Sequence, residues 1–165
     1  MPPLDPARFL AAMAELPAGV TVTTCRDADG APVGATLSAV TSLSLDPPMV
    51  LTCFDRGSNT LKAVVEPGTA FLLHILAHGQ EAIAMAFAGK SGNKFADVDW
   101  APGRLGLPRI AGCAATLLCR VADLVPGGDH MIVTAHVVES HVSDDPLPLV
   151  YHRRRRRIQV LLLRR

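Results

Sequence analysis

Two short stretches carry residue types able to bind a polar ligand. In "RGSNT", Ser58, Asn59 and Thr60 stand where a helix begins, so free backbone N–H groups and the positive end of the helix dipole favour an anion. A plain helix cap by Ser58 has the same pattern. In "VGATLSAVTSLSLDPPMV", residues 33–50, no charge occurs from Val33 to Leu45, yet Thr36, Ser38, Thr41, Ser42 and Ser44 supply five hydroxyls. Small residues let a ligand approach the backbone, and hydroxyls offer hydrogen bonds without fixed charge. A half-buried strand with threonines on its outer face fits equally. His74 and His78 are four apart but fall at a strand end and the following turn, with no accompanying carboxylate motif, so no metal site is expected. Cys25, Cys53, Cys113 and Cys119 form no CxxC pair and read as buried, reduced thiols.

These residues need a frame to hold them. "DPARFLAAMAEL" begins a helix with Asp5 as cap and Pro6 in the first turn, and Pro17 ends it. "GVTVTTC" and "PVGATLSAV" read as a hairpin around Asp29-Gly30, and "PMVLTCF" as a third strand. "SNTLKAVVE" and "QEAIAMAFA" read as helices on either side of the strand "AFLLHIL". Residues 89–112 are rich in Gly and Pro and read as a long loop. "AATLLCRVADLV", "DHMIVTAHVVESHV" and "RIQVLLL" complete the strands. Hairpin connections in place of regular βαβ alternation predict a mainly β fold, an antiparallel barrel with helical insertions.

Composition sets the outer limits. A chain of 165 residues, 49% hydrophobic and 19% charged, suits a single packed domain spanning residues 1–165. No apolar run reaches the ~18 residues of a membrane span, and the N-terminus lacks the basic lead of a secretory signal. The expectation is a cytoplasmic protein with no membrane association. A net charge of +1 gives no global attraction to nucleic acid.

The order of motifs resembles the flavin reductase family, the FMN-binding split barrels that supply reduced flavin to two-component monooxygenases. The matching blocks are "PAGVTVTT" (17–24), "VGATLSAVTSLSLDPPMVLTCF" (33–54), "FAGKSGNKFADVDW" (87–100), "GGDHMIVTAHV" (127–137) and "PLVYHR" (148–153). The resemblance implies a six-stranded Greek-key split β-barrel and a homodimer with FMN near the subunit interface. FAD is the alternative flavin. It also implies hydride transfer from NADH or NADPH, and a partner monooxygenase reached through diffusible reduced flavin.

Carried onto this chain, the resemblance gives the two stretches roles. The flavin ring has a polar edge, which the backbone at Thr36, Leu37, Ser38 and Ala39 would meet. Cys53, Phe54 and Asp55 follow at the end of the next strand. Ser58, Asn59 and Thr60 would take the phosphate, with Lys94 of the Lys94-Phe95 pair closing on it. The family usually has Arg at that place, so the lysine keeps the charge and loses the bidentate fork. His130 would orient nicotinamide or steady the charge on reduced flavin, and Tyr151 would lie over the nicotinamide or ribose. The run Arg153 to Arg157 reads as a solvated strand start, or as attraction for dinucleotide phosphates.

Three functions stay open on these residues. The first is an NAD(P)H-dependent FMN reductase. The second is an oxidoreductase that retains FMN and acts directly on an organic substrate. The third is a non-catalytic flavin-binding interaction module.

Overall fold

The computed structural model describes residues 4–89, 93–144 and 147–153. The first helix, α1 (Pro6–Met13), starts as expected, with the Asp5 carboxylate accepting from the Ala7 N–H at 3.0 Å and Pro6 in the first turn. None of its residues is buried. After β1 (Ala18–Gly19), β2 (Thr21–Arg26) and β3 (Pro32–Leu37) form the expected hairpin, and Gly30 takes the positive φ of +80° that its turn requires.

Here the structure departs from the expected single strand over residues 32–40. The chain leaves β3 at Leu37, crosses Ser38 and Ala39 outside any ladder, and enters a new strand, β4 (Val40–Leu45). A cis Asp46–Pro47 peptide leads into β5 (Pro48–Asp55), followed by α2 (Asn59–Ala63), β6 (Ala70–Ile75) and α3 (Glu81–Ala88). The region expected as a loop contains a small hairpin, β7 (Trp100–Pro102) and β8 (Pro108–Ile110), with a 3-10 turn at Arg104–Gly106. Gly103 and Gly106 belong to the tight turn, and Pro102 and Pro108 to the ends of the two short strands that it joins. The long strands β9 (Ala115–Gly127) and β10 (His130–Val142) follow, and β11 (Val150–Tyr151) pairs with β1. The expected strand "RIQVLLL" and Arg154 to Arg157 lie outside the described residues.

The main sheet is antiparallel, with strand order β3-β2-β6-β9-β10-β5-β4. It has seven strands, since the expected segment 32–40 ends at Leu37 and the following residues form a further strand, β4, that the sequence did not suggest. Its outermost strands, β3 and β4, are consecutive in the chain. A linker of only two residues therefore draws the two edges of the sheet together, and the Cys53 N–H donates to the Ala39 carbonyl at 3.0 Å beside that point.

Burial follows from this curling. Cys25, Val50, Phe54, Phe71, Leu73, Cys119 and Val133 form one cluster, joined by Leu61 and Val64 from the α2 segment. Val22, Leu76, Ala84, Phe87, Phe95 and Ile110 form a second between the sheet, α3 and the β7–β8 region. Strand β2 is buried from Thr21 to Cys25, since both its faces are covered.

Gly34 lets α3 sit directly on β3. A Cβ there would lie 2.6 Å from the Phe87 ring and 3.0 Å from the Thr23 carbonyl oxygen. That ring is itself held edge-on by Phe95, with centroids 4.8 Å apart. Gly34→Ala is therefore expected to destabilise the fold by roughly 1–3 kcal/mol, the usual cost of overpacking. Urea unfolding measures it, and an unchanged midpoint would mean that α3 shifts freely on the sheet.

Candidate functional site

Where the two sheet edges meet, the structure forms an open cleft of about 520 Å³. This is within the range of about 300–1,000 Å³ typical of small-molecule sites. One wall is β3 and its exit, from Pro32 to Ala39. Cys53, Asp55 and the first residues of α2 form another, and the end of α3 with Asn93, Lys94 and Phe95 a third. His130 stands at the start of β10, directly opposite Asp55 in the strand register.

The strand break is what gives the cleft its donors. Ser38 and Ala39 are exposed, and their N–H groups belong to neither the β2–β3 nor the β4–β5 ladder. At α2 the Ser58 hydroxyl accepts from the Leu61 N–H at 3.4 Å, which is the cap expected from the sequence. The earlier amides of that turn have no intrahelical acceptor. Asp55 accepts from the Gly57 N–H at 2.7 Å, bending the chain from β5 into α2.

Several side chains do something other than the sequence suggested. The Thr36 hydroxyl donates to the Ala84 carbonyl at 2.6 Å, so it ties β3 to α3. Thr41 and Ser42 are exposed on β4, and neither they nor Ser44 line the cleft. Lys94 lines the cleft, but its ammonium already donates to the carbonyls of Gly34 at 2.9 Å and Phe87 at 3.2 Å. Partial burial lowers its pKa. Phe54 is fully buried in the core, because strand alternation turns Cys53 and Asp55 toward the cleft and Phe54 away from it. Tyr151 is held opposite Ala18 on the β1–β11 ribbon and does not line the cleft.

His130 is half exposed, and its Nδ1 lies 2.7 Å from Asp129 Oδ1. The hydrogen bond from His130 and its charge hold the Asp129 carboxyl below the usual range. With Nδ1 engaged by the carboxylate, Nε2 is the nitrogen left for a ligand. His74, by contrast, lies one residue before the end of β6, as expected, but is fully buried. Its Nδ1–H donates to the Val22 carbonyl at 3.0 Å, and its Nε2 accepts from the Ile110 N–H at 3.2 Å. No group of three metal-ligating side chains occurs among the described residues. All four cysteines are free, and burial pushes the thiols of Cys25 and Cys119 up to about 12 and that of Cys113 to about 11.

Residues 13–158 match the flavin reductase like domain. The chain belongs to that family. It is 42% identical over 154 residues to a flavin reductase (NADH) from Kitasatospora aureofaciens, covering 92% of this chain and 80% of that one. It is also 42% identical over 153 residues to the reductase component of a 4-nitrophenol 4-monooxygenase/4-nitrocatechol 2-monooxygenase from Rhodococcus opacus, covering 93% and 80% of the two chains. Among solved structures, the NADH:FAD oxidoreductase of Streptomyces globisporus in complex with NAD and FAD fragments aligns with a TM-score of 0.87. That pair is 31% identical and covers 98% of this chain and 99% of the other.

For this flavin reductase-like chain, sequence reasoning named residues on every wall of the cleft but not all of its lining. Val33, Gly34, Phe87, Gly89 and Asn93 line it without having been singled out. The "FAGKSGNKF" block held the signal, since its glycines sit beside the Lys94-Phe95 pair, but the meeting of α3 with β3 is a tertiary contact.

Proposed function

We propose that the protein is an NAD(P)H:flavin oxidoreductase that passes reduced flavin to a partner monooxygenase. The observation that carries this reading is the cleft at Ser38–Ala39, where two residues outside both ladders line a ligand-sized space shared with His130. A flat ring with a polar edge of carbonyls and nitrogens fits that donor set. When bound, a flavin supplies the two-electron acceptor for hydride from NADH or NADPH.

The chain's own residues bind and orient. The backbone from Thr36 to Ala39 meets the ring edge, with Cys53 and Asp55 beside it. Ser58, Asn59 and Thr60 take the flavin phosphate, and Lys94, already braced by two carbonyls, adds positive charge to the same cleft. Phe95 supports this wall from below, packed on Phe87. His130 offers Nε2 to nicotinamide, with its ring fixed by Asp129. No general base is needed, and orientation supplies most of the acceleration.

FMN is the flavin this arrangement addresses, and FAD shares its ring and proximal phosphate. The test is anaerobic NADH oxidation with added FMN, together with fluorescence titration of FMN against riboflavin. FMN should be reduced at catalytic rates and should bind more tightly than riboflavin. Absence of turnover would reject the reductase reading, and equal affinities would reject the phosphate site.

The same reading includes one domain whose curled sheet closes as a Greek-key split barrel, working in the cytoplasm as a C2 homodimer. Two features support association. The flavin cleft is open on one side, and α1 leaves Phe9, Leu10 and Met13 about half exposed at 54%, 50% and 46%. A second copy would cover such a face. Sedimentation at micromolar concentration should show a dimer, and a flavin-bound monomer would contradict it.

A further inference from the structure

We propose that the cleft between the β7–β8 hairpin and the far end of the β9–β10 pair is a second binding site, for a small carboxylate with an apolar body. This cleft of about 420 Å³ shares no lining residue with the flavin cleft. It lies at the opposite end of β10 from His130.

The site is built on a row across the sheet. His74 on β6 pairs with Thr116 on β9, and Thr116 pairs with His141 on β10, so the three side chains share a face. The β7–β8 hairpin covers this row unevenly. His74 is sealed beneath Ile110, Thr116 is 8% exposed, and His141 stands at the open rim. Thr116 lines the cleft, and its hydroxyl takes no hydrogen bond among the described residues. Its oxygen is not sealed away, since only the Thr23 hydroxyl is both fully buried and unpartnered among the described residues, so the Thr116 hydroxyl is open to a ligand.

Arg109 stands on the same wall, and its guanidinium makes no salt bridge or hydrogen bond among the described residues. Its charge is a minor contribution, after burial and hydrogen bonding, that acts to lower the pKa of both His74 and Cys113. Arg109 is itself exposed, at the rim of the cleft. Glu139 is taken by Arg104 at 3.6 Å, while Asp99, also exposed, is the one acid lining the cleft among the described residues. Ser143 already donates to the Cys113 carbonyl at 2.7 Å. Trp100 and Pro102 supply an apolar wall beside these groups. A guanidinium fork, a hydroxyl donor and an indole face together suit a carboxylate carried on an apolar body better than a bare anion or a neutral ring.

Trp100 is the only tryptophan, so its fluorescence reports on this cleft. The full-length protein, saturated with flavin to fill the first cleft, would be titrated with benzoate, benzyl alcohol and inorganic phosphate. Benzoate should give a saturable change, with the other two at least tenfold weaker. Arg109→Gln should weaken benzoate at least tenfold and Thr116→Val about threefold, while Thr116→Ser keeps wild-type binding. Urea midpoints confirm that each variant is folded. No saturable change, equal binding in Arg109→Gln, benzyl alcohol binding as well as benzoate, or competition of benzoate with flavin would each overturn the proposal.

Discussion

His130→Ala should slow anaerobic reduction of flavin by NADH about tenfold or more, which is ~1.4 kcal/mol in the barrier. That is a modest loss for one positioned polar group. Flavin affinity should stay within a few-fold of wild type. The reasoning is geometric. The imidazole stands at the cleft edge, held through Nδ1 by Asp129 at 2.7 Å, and belongs to neither principal core cluster. Its removal therefore costs orientation at the reacting end and leaves the fold intact. Stopped-flow absorbance under anaerobic conditions reads the rate directly. A wild-type rate would reduce His130 to a turn residue. Loss of flavin binding with an unchanged rate in the bound fraction would move it to the cofactor contacts instead.

Acid should destabilise the protein through His74 before carboxylate titration dominates. Burial is the main cause that lowers its pKa from 6.5 to about 4, opposed by the hydrogen bond to Val22 and assisted by the charge of Arg109. The unfolded chain thus takes up this proton near pH 6.5, and the folded protein only near pH 4. Between those values the unfolded state holds more protons, so lowering the pH favours it. The contribution is complete above about pH 6.5 and is lost as pH falls toward 4, below which both states are protonated. The slope is about 1.4 kcal/mol per pH unit, or roughly 3 kcal/mol over the window. Urea unfolding at pH 7, 6, 5 and 4 measures it. His74→Gln should be less stable at pH 7, because the Val22 carbonyl and the Ile110 N–H lose their shared partner. Its stability should also fall less on acidification than that of wild type. Parallel curves for the two proteins would show that His74 carries no linked proton.

These two histidines show where sequence reading succeeds and where it stops. His130 was legible because "GGDHMIVTAHV" joins a glycine turn to an alternating strand, which places the residue at a strand start. The strand-end position of His74 is equally legible, but nothing local reveals that the Ile110 N–H, 36 positions away, closes over it. Strand period alone could have warned that Phe54 points away from Cys53 and Asp55. The partners of Thr36 and Lys94 could not be read in this way. Thr36 spends its hydroxyl on Ala84, and Lys94 spends its ammonium on Gly34 and Phe87, through contacts made only when α3 packs on β3.

By itself, the sequence determined the order and kind of most elements, the cap at Ser58 and the resemblance that names the chemistry. Those depend on periodicity, turn residues and short motifs, all of which act over a few positions. Only the tertiary structure decided that the chain breaks at Ser38–Ala39, that β3 and β4 become opposite edges of one sheet, and that α3 and Lys94 complete the cleft. The physical reason is the range of the interactions. A strand's local preference is satisfied equally by six or by nine residues in line. What bends this one is the pairing of β5 with β10 and of β2 with β6, partners many residues distant in the chain.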